Sequence, residues 1–459
     1  MGTYLTRTTA DATSNKIATF SWWVKRSTIV NNDGQGGNYM WCMAGPGGFS
    51  DSDWLGCIFK SDDTLTVQTW YGGTTVTTNK LFRDVAAWYH IVVRIDTSQS
   101  TAADRIRIYI NGDQQTSLGT ATYPGQNHDY NCLGDSGAKH YVGCAVSGSI
   151  GSPNPYDFTN GYMADFIFSS GYSYAPTSFG ETDSTTGIWE PKTFTGSYGD
   201  NGFYLQFKNA GSLGTDTSGE GHNLTVNNAG TNAQVVDTPS NNFCVMNQAA
   251  NRFPNSTFTL GNLAVAMGSS QATFNAGIFG VSSGKWYFEM KPTALGSGTD
   301  NCLVGIVSRP DSTGTSDYLG EPTSIVYRNN GQKKSDSANA TYGASWSTSD
   351  IVMVAVDCDN NNIYFGTNGN WANGSGSNNQ ASPSSAIAFT STMIADGIVF
   401  PAFGDLSTNA PEPAGQFNFG NPPFSISSGN ADANGFGNFE YAVPSGYYAL
   451  CTKNINTYG

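Results

Sequence analysis

The chain has 459 residues, enough for about three domains of ordinary size or for two large β domains. Hydrophobic residues make up 38%, which excludes a disordered chain, and the 55 glycines with only 12% charged residues exclude a helical bundle. The formal net charge of −14 argues against a nucleic-acid partner and a polybasic membrane anchor, and no apolar run is long enough for membrane insertion.

Three segments in the first half alternate between apolar and polar residues, at 18–25, 88–96 and 105–110. Their inward-facing residues are Phe20, Trp22 and Val24, then Tyr89, Ile91, Val93 and Ile95, then Ile106, Ile108 and Ile110. The third segment ends at Asn111-Gly112, a dipeptide that favours a type I′ hairpin turn. We therefore expect antiparallel strands in this half of the chain.

The second half repeats this pattern. Residues 285–291 alternate, and residues 351–356 are apolar on both faces, which indicates a central buried strand. Residues 363–365 lead into Asn368-Gly369, a second hairpin signal. No segment of about 12 residues shows helical periodicity. The predicted fold class is all-β, with two antiparallel β-sandwiches.

The domain boundaries are marked by turn-rich and polar stretches. The predicted organisation is a first sandwich, a packed connecting segment, a second sandwich and a C-terminal docking tail, at residues 1–190, 191–240, 241–425 and 426–459. The connecting segment is expected to pack because Phe203, Leu205 and Phe207 alternate with polar residues. The tail carries enough aromatic residues to dock on a neighbouring surface.

Both sandwiches resemble known families. Residues 1–180 resemble a laminin-G-like, concanavalin-A-type domain, and the motifs that carry this likeness are TFSWWVKR at 19–26, WYHIVV at 88–93, IYING at 108–112 and GYMAD at 161–165. Residues 241–425 resemble a SPRY domain, through GKWYFE at 284–289, VGI at 304–306, DIV at 350–352, IYF at 363–365 with Asn368-Gly369, and FPAF at 400–403. Both families are β-sandwiches.

The connecting segment and the C-terminal part of the chain resemble structural proteins of tailed marine bacteriophages. The motifs are GFYLQF at 202–207, GTDTSG at 214–219, TPSNNF at 238–243, FNFGNPPF at 417–424 and PSGYYAL at 444–450. This likeness implies a non-enzymatic virion protein: a tail fibre, an adhesion protein or a capsid-decoration subunit. Its expected partners are other virion proteins, further copies in a homo-oligomer with a trimer favoured, and a host-surface glycan or protein.

The same likeness places the protein in the virion, at its surface or tail, after synthesis in the host cytoplasm. Two alternatives stay open. One is a glycan-degrading tailspike enzyme that uses the first sandwich, and the other is a purely architectural capsid or tail subunit. A pair of carboxylates in a groove would favour the enzyme.

Two motifs of catalytic type occur, and neither is assigned a catalytic role. Residues 280–284 (GVSSG) have the spacing of a nucleophile elbow, but that motif needs a helix after the serine and a strand pattern follows here. Glu181 and Asp183 come closest to the Glu-x-Asp-x-x-Glu pattern of one glycoside hydrolase family, but Thr186 stands at the last position. The sequence predicts a polar turn and a surface loop at these places.

Residues of metal-ligating type occur in two groups. The zinc-ligand types form two His-x3-Cys pairs, at His128, Cys132, His140 and Cys144. Residues four apart in a strand are about 13 Å from each other, so we do not expect these pairs to form one tetrahedral site. All eight cysteines are expected to be mainly reduced and buried.

Calcium is left open as a cofactor because some laminin-G-like domains bind it, and no other cofactor is predicted. The weak candidate ligands are Asp51, Asp53, Asp62 and Asp63. Residues 357–362 resemble a calcium loop, but Asn362 and Asn368 stand where that loop has glycine and glutamate. We predict a hairpin there.

Aromatic residues near turn residues are the remaining indication of function. Such rings stack on sugar rings when they are exposed, although aromatic residues are also common in cores and interfaces. The candidate ligand-binding residues are Trp54, Trp70, Tyr71, Trp346 and Trp371.

Overall fold

The computed structural model divides the chain after Gln234 into two units, Met1–Gln234 and Val235–Gly459. It describes residues 2–29, 37–50, 52–149, 151–230, 233–250, 256–268, 274–296, 302–310, 319–406 and 411–459. The division differs from the predicted organisation, since most of the connecting segment belongs to the first unit. The tail belongs to the second unit.

The first unit is built from two large antiparallel sheets and two separate hairpins. Its strands are β1 (Tyr4–Thr8), β2 (Ile17–Arg26), β3 (Gly37–Ala44), β4 (Trp54–Lys60), β5 (Leu65–Thr69), β6 (Thr75–Thr78), β7 (Trp88–Asp96), β8 (Ile106–Ile110), β9 (Asp113–Gln114), β10 (Leu118–Thr122), β11 (Lys139–Val142), β12 (Ala145–Ser149), β13 (Ser152–Tyr156), β14 (Gly161–Ser170), β15 (Gly180–Thr182), β16 (Trp189–Pro191), β17 (Phe203–Leu205) and β18 (Thr225–Asn227). A short helix, α1 (Asn131–Gly134), precedes β11, and single 3₁₀ turns cover Ala102–Asp104 and Pro176–Ser178.

The eight-stranded sheet runs in the order β10-β6-β5-β4-β3-β11-β1-β18, and the six-stranded sheet in the order β17-β14-β2-β7-β8-β9. The separate hairpins are β12–β13 and β15–β16. The core lies between the two large sheets. Phe20 of β2 stacks on Trp41 of β3 with ring centroids 3.9 Å apart. All the inward-facing residues predicted for the first half lie in this core, so the predicted alternation is confirmed.

A covering layer at residues 171–200 lies on the outer face of the six-stranded sheet. Phe179 and Phe194 of this layer form a small second core with Val92, Tyr109 and Ile167 of the sheet. The covering layer explains why the face of β2 predicted to be outward is also buried. That face consists of Thr19, Ser21, Trp23 and Lys25, each less than 4% exposed.

The Asn111-Gly112 turn lies under the same layer. Asn111 has φ 50° and Gly112 has φ 88°, the left-handed pair that a type I′ turn requires. A Cβ on Gly112 would lie 2.8 Å from Cζ3 of Trp189. The hairpin prediction is confirmed, and the turn also supports the packing of β16.

Replacing Gly112 with valine should lower the free energy of unfolding of the first unit by about 1–3 kcal/mol, because the new side chain meets both an unfavourable φ and the Trp189 ring. Calorimetry of the full chain would measure the change. Gly125→Val is the matched control, since a Cβ there meets no atom within 4 Å. Equal transition temperatures for the two variants would contradict the expectation.

The second unit contains the remaining elements. Its strands are β19 (Thr257–Thr259), β20 (Ala264–Ala266), β21 (Phe274–Ala276), β22 (Lys285–Leu295), β23 (Leu303–Val307), β24 (Ser324–Arg328), β25 (Gln332–Ser335), β26 (Ala338–Thr341), β27 (Val352–Asp357), β28 (Asn362–Thr367), β29 (Asn370–Ala372), β30 (Asn378–Gln380), β31 (Ile387–Ala388), β32 (Phe400–Gly404), β33 (Pro413–Asn418) and β34 (Tyr448–Ala449). Its helices are α2 (Ser391–Asp396) and α3 (Thr452–Tyr458), with a 3₁₀ turn at Gln248–Ala250.

These strands form a second sandwich. One sheet follows β19-β20-β33-β22-β27-β28-β29-β30, with β31 beside β28 and β34 beside β22, and the other follows β21-β32-β23-β24-β25-β26. Strand β27 is fully buried between β22 and β28, as its two apolar faces predict. The prediction of an all-β protein with two antiparallel sandwiches is confirmed.

The tail packs on the outer face of the sheet that contains β22. Phe439, Ala449 and Cys451 of the tail form an apolar cluster with Tyr287 and Met353 of that sheet. The carboxylate of Glu289, also on this face, accepts hydrogen bonds from the backbone N–H groups of the tail. The tail therefore completes the second unit.

All eight cysteines are buried and none of them forms a disulfide, in line with the predicted thiols. Burial raises the pKa of the Cys57 thiol, so this side chain stays protonated and unreactive. Among the described residues, no helix is long and apolar enough to cross a membrane.

Candidate functional site

The structure separates the five predicted ligand-binding aromatic residues into two groups. Trp54, Trp346 and Trp371 are 1%, 4% and 3% exposed, so the prediction that they are exposed loop residues is wrong. A turn residue nearby does not expose a ring, because each of these three packs into a core. Trp70 is half-buried and Tyr71 is 73% exposed, and both lie in the turn between β5 and β6.

Three loops of the first unit meet around this turn, at residues 45–53, 70–74 and 130–134. The Tyr130 hydroxyl lies 2.8 Å from Oγ1 of Thr74, and the Asn131 amide donates to Asp53 over 3.1 Å. Ser50 also donates to Asp53, over 2.6 Å. We call the described residues of these loops the aromatic loop end.

The rings of the aromatic loop end are held by one another. The Trp70 ring centroid lies 4.8 Å from that of Phe49 and 5.6 Å from that of the buried Trp54. The Trp70 ring thus lies against the core, and the exposed Tyr71 follows it directly in the chain. The sequence analysis did not identify Phe49 and Asn131, because they come close to Trp70 only in the folded chain.

Asp53, Asp62 and Asp63, the described aspartates among the proposed calcium ligands, do not form one cluster. Asp63 is fully buried and forms ion pairs with Arg26 at 3.0 Å and Arg83 at 2.8 Å, so its charge is already compensated. Asp62 accepts bonds from Thr64. Asp51 lies outside the described residues. The part of the chain that the structure describes holds no cluster of three or more metal-ligating side chains.

The cysteines of the two His-x3-Cys pairs lie in different apolar clusters. Cys132 belongs to the main core of the first unit, whereas Cys144 belongs to a cluster on the outer side of the eight-stranded sheet. His140 is fully buried, with its ring 4.9 Å from that of Phe168. The Cys132 and Cys144 thiols are therefore on different sides of the eight-stranded sheet.

One pair in the first unit resembles a nucleophile and its base. Oγ of Ser21 lies 2.9 Å from Nε2 of His90, and the Trp189 indole N–H donates to Nδ1 of His90 over 2.9 Å. Since Nδ1 accepts, the neutral imidazole carries its proton on Nε2 and donates it to Ser21. Burial lowers the pKa of His90 to about 3. His90 therefore cannot take the proton from Ser21.

The other motifs of catalytic type have the predicted local structures. Residues 280–284 are followed by strand β22. Glu181 lies in the β15–β16 hairpin and pairs with Lys192 at 3.2 Å, and Asp183 accepts bonds from Thr186. Residues 357–362 form the turn of the β27–β28 hairpin, as predicted. Asp357 forms an ion pair with Lys285 at 2.8 Å.

Comparisons with known proteins match each sandwich separately. A family model described as the concanavalin A-like lectin/glucanases superfamily matches residues 2–158, and a SPRY domain model matches residues 285–421. No curated protein matches the sequence.

Three solved structures are among those similar in part. The SPRY domain of human HERC1 is 18% identical over 35% of this chain and 91% of its own, with a TM-score of 0.28. The native heptameric SAP-like pentraxin from Limulus polyphemus is 15% identical over 38% of this chain and 71% of its own, with a TM-score of 0.28. A human SPRY domain is 16% identical over 38% of this chain and 98% of its own, with a TM-score of 0.27.

Proposed function

The chain contains a concanavalin A-like domain followed by a SPRY domain, and we propose that it is a non-enzymatic binding protein that recognises a surface glycan through the aromatic loop end. The observation that carries this proposal is Tyr71, which is 73% exposed beside the fixed Trp70 ring. An exposed aromatic face stacks on a sugar ring, and it loses little side-chain entropy when it binds.

The polar groups of the same loops supply hydrogen bonds. Asp53 and Asn131 form a pair at 3.1 Å, and both side chains are partly exposed. Carboxylate oxygens accept from sugar hydroxyls, and amides can donate or accept. A rigid scaffold that holds such loops is the usual arrangement for recognition.

A binding role without catalysis is supported by the described side chains. The Ser21–His90 pair has the wrong tautomer for a nucleophile, and Glu181 is paired with Lys192. Glycoside hydrolysis needs two carboxyl groups on either side of the scissile bond. Release of reducing sugar by the full chain, lost on one Asp or Glu substitution, would replace this proposal with that of a tailspike enzyme.

We place the protein in a bacteriophage virion, as a tail fibre, adhesion or capsid-decoration subunit. The support is the ordered set of motifs from GFYLQF at 202–207 to PSGYYAL at 444–450. Its partners in this role are other virion proteins, a host-surface glycan and further copies of itself, with a trimer favoured. Many copies on one particle would multiply a weak affinity for the host surface.

Tyr71→Ala should lower the affinity of the full chain for its surface glycan about tenfold or more, because truncating a central aromatic contact usually costs that much. Binding would be measured on an array of bacterial surface polysaccharides and then by calorimetry. The melting temperature should stay unchanged, since Tyr71 is 73% exposed.

Tyr172→Ala is the matched control, because Tyr172 is 42% exposed in the covering layer at residues 171–200. Unchanged glycan binding by Tyr71→Ala would refute the assignment of the site. A particle reconstruction that places the aromatic loop end inside a subunit interface would favour the architectural alternative.

A further inference from the structure

A concave surface lies in the first unit, on the outer face of the eight-stranded sheet. Its floor is formed by β1, β11 and β18, and its walls by Pro153 and by residues 221–223. Its volume is about 530 Å³, within the range of about 300–1,000 Å³ typical of small-molecule sites. We call it the β1 cleft.

Strand pairing places three hydroxyl-bearing residues in one row across the floor of the β1 cleft. Thr6 of β1 lies opposite Tyr141 of β11 on one side and opposite Thr225 of β18 on the other. Leu5, the residue before Thr6, belongs to the core between the sheets, so alternation turns the row to the outer face. Neighbouring strands are about 4.8 Å apart, so the row spans about 10 Å, a length that a disaccharide covers.

A second row of the floor holds an aromatic ring and an amide. Tyr4 of β1 lies opposite Asn227 of β18. The Asn227 amide donates to the Thr6 hydroxyl over 3.3 Å, which leaves the proton of that hydroxyl for an acceptor on a ligand. Tyr4 is half-buried, and its ring centroid lies 5.9 Å from that of Phe158. The floor therefore combines an apolar ring with groups that both donate and accept hydrogen bonds.

The hydroxyl of Tyr141 indicates that the β1 cleft is incomplete without a ligand or water. Tyr141 lines the cleft and is 1% exposed, and its hydroxyl has no hydrogen-bond partner among the described residues. A buried hydroxyl without a partner is costly, and such groups are rare in native proteins. Burial raises the pKa of Tyr141, so at neutral pH the phenol keeps its proton and can donate it to an acceptor in the cleft.

The described part of the β1 cleft offers a ligand no charge that is not already engaged. Arg7 alternates with Thr6 and Thr8 along β1, so it points to the opposite face, and its guanidinium donates to the carbonyl oxygen of Asn201 over 3.3 Å. Lys139 already has a partner. Of the described lining residues none is aspartate or glutamate. A charged ligand therefore gains little here over a neutral one.

We propose that the β1 cleft binds a short neutral saccharide. Sugar hydroxyls both donate and accept hydrogen bonds, as do the threonine hydroxyls and the asparagine amide of the floor. The Tyr4 ring packs against the C–H face of a sugar ring, and the Tyr141 hydroxyl donates to a sugar oxygen. The β1 cleft shares no residue with the aromatic loop end, so its binding does not depend on that site.

Calorimetry of the full chain carrying Tyr71→Ala tests the proposal, because this variant weakens the aromatic loop end and leaves the β1 cleft intact. The probes are neutral disaccharides of glucose, galactose, mannose and N-acetylglucosamine, with a galacturonate disaccharide as the charged counterpart. At least one neutral disaccharide should bind, with an affinity that does not change with salt. The galacturonate disaccharide should bind no more tightly than the matching galactose disaccharide.

The outcomes of this experiment separate the two sites. If the wild-type chain binds a neutral disaccharide and Tyr71→Ala binds none, the aromatic loop end accounts for all binding and the proposal for the β1 cleft is wrong. Binding of no neutral disaccharide by either chain would also overturn it. Tighter binding of the galacturonate disaccharide, or binding that weakens as salt rises, would overturn the choice of a neutral ligand.

Tyr141→Phe is the most direct variant, because it removes only the hydroxyl. It should lower the affinity for the bound disaccharide about fivefold, while the melting temperature stays equal or rises, since that hydroxyl has no partner in the described protein. Tyr172→Phe, in the covering layer at residues 171–200, is the matched control and should change neither quantity. Wild-type affinity in Tyr141→Phe would refute the proposal.

Thr225→Val tests the other end of the hydroxyl row. Valine keeps the branched shape that suits a strand and lacks the hydroxyl, so the affinity should fall about threefold to fivefold with little change in melting temperature. Thr122→Val is the matched control, because Thr122 is an exposed residue of β10, at the opposite edge of the same sheet. Equal affinities of these two variants would overturn the assignment of the floor.

Discussion

Lowering the pH from 6.5 to 5.0 is expected to reduce the free energy of unfolding of the first unit by about 3 kcal/mol. Burial lowers the pKa of His90 and of His140 from 6.5 to about 3. As the pH falls below 6.5 the unfolded chain comes to bind two protons that the folded unit does not, so stability falls as the pH falls. Each such group contributes up to about 1.4 kcal/mol per pH unit, and less close to pH 6.5, where the unfolded chain is only partly protonated.

Denaturant unfolding of the full chain at several pH values would measure this effect. All four histidines lie in the first unit, at residues 90, 128, 140 and 222, so the second unit is an internal control without a histidine contribution. His140→Leu should remove about half of the pH dependence, because His140 is fully buried against Phe168 and burial is what lowers its pKa. An unchanged slope in this variant would contradict the expectation.

Local patterns were sufficient to predict the strands whose apolar residues alternate or run continuously. Alternation placed Phe20 and Trp22 in the core, and Asn111-Gly112 marked a turn, because both signals depend on neighbouring residues only. The layers outside the sheets depend on distant residues and could not be predicted. Trp23 was assigned to the outer face, but it lies 4.8 Å from the His90 ring, beneath the covering layer that brings Trp189 to the same histidine.

The aromatic loop end was predicted only in part, because the burial of an aromatic ring also depends on distant residues. Trp70 and Tyr71 follow a strand directly, and a tight turn leaves the second of them exposed. Trp54 begins a strand whose outer face is covered by the β12–β13 hairpin, so its indole donates to the Val146 carbonyl within a buried cluster. Sequence position alone does not distinguish these two environments.

Replacing Glu289 with alanine is expected to lower the free energy of unfolding of the second unit by about 3–5 kcal/mol and to release the tail. The carboxylate is fully buried, and the backbone N–H groups of Glu440 and Tyr441 donate to it over 3.0 and 2.8 Å. The Asn418 amide and the Tyr287 hydroxyl donate to it as well, each over 3.0 Å. The alanine variant leaves these donors buried without an acceptor, at about 1–3 kcal/mol each before the site relaxes.

Denaturant unfolding and limited proteolysis of the full chain would measure the two effects together. Glu440→Ala is the matched control, because its carboxylate bonds only Ser427 at the surface while its backbone N–H still donates to Glu289. It should change stability by less than about 1 kcal/mol. If Glu289→Ala and Glu440→Ala unfold alike and both resist cleavage after residue 426, then the apolar cluster around Phe439 holds the tail unaided. In that case the buried carboxylate would serve to set the register of the tail on β22, since its two bonds to consecutive backbone groups fix one alignment.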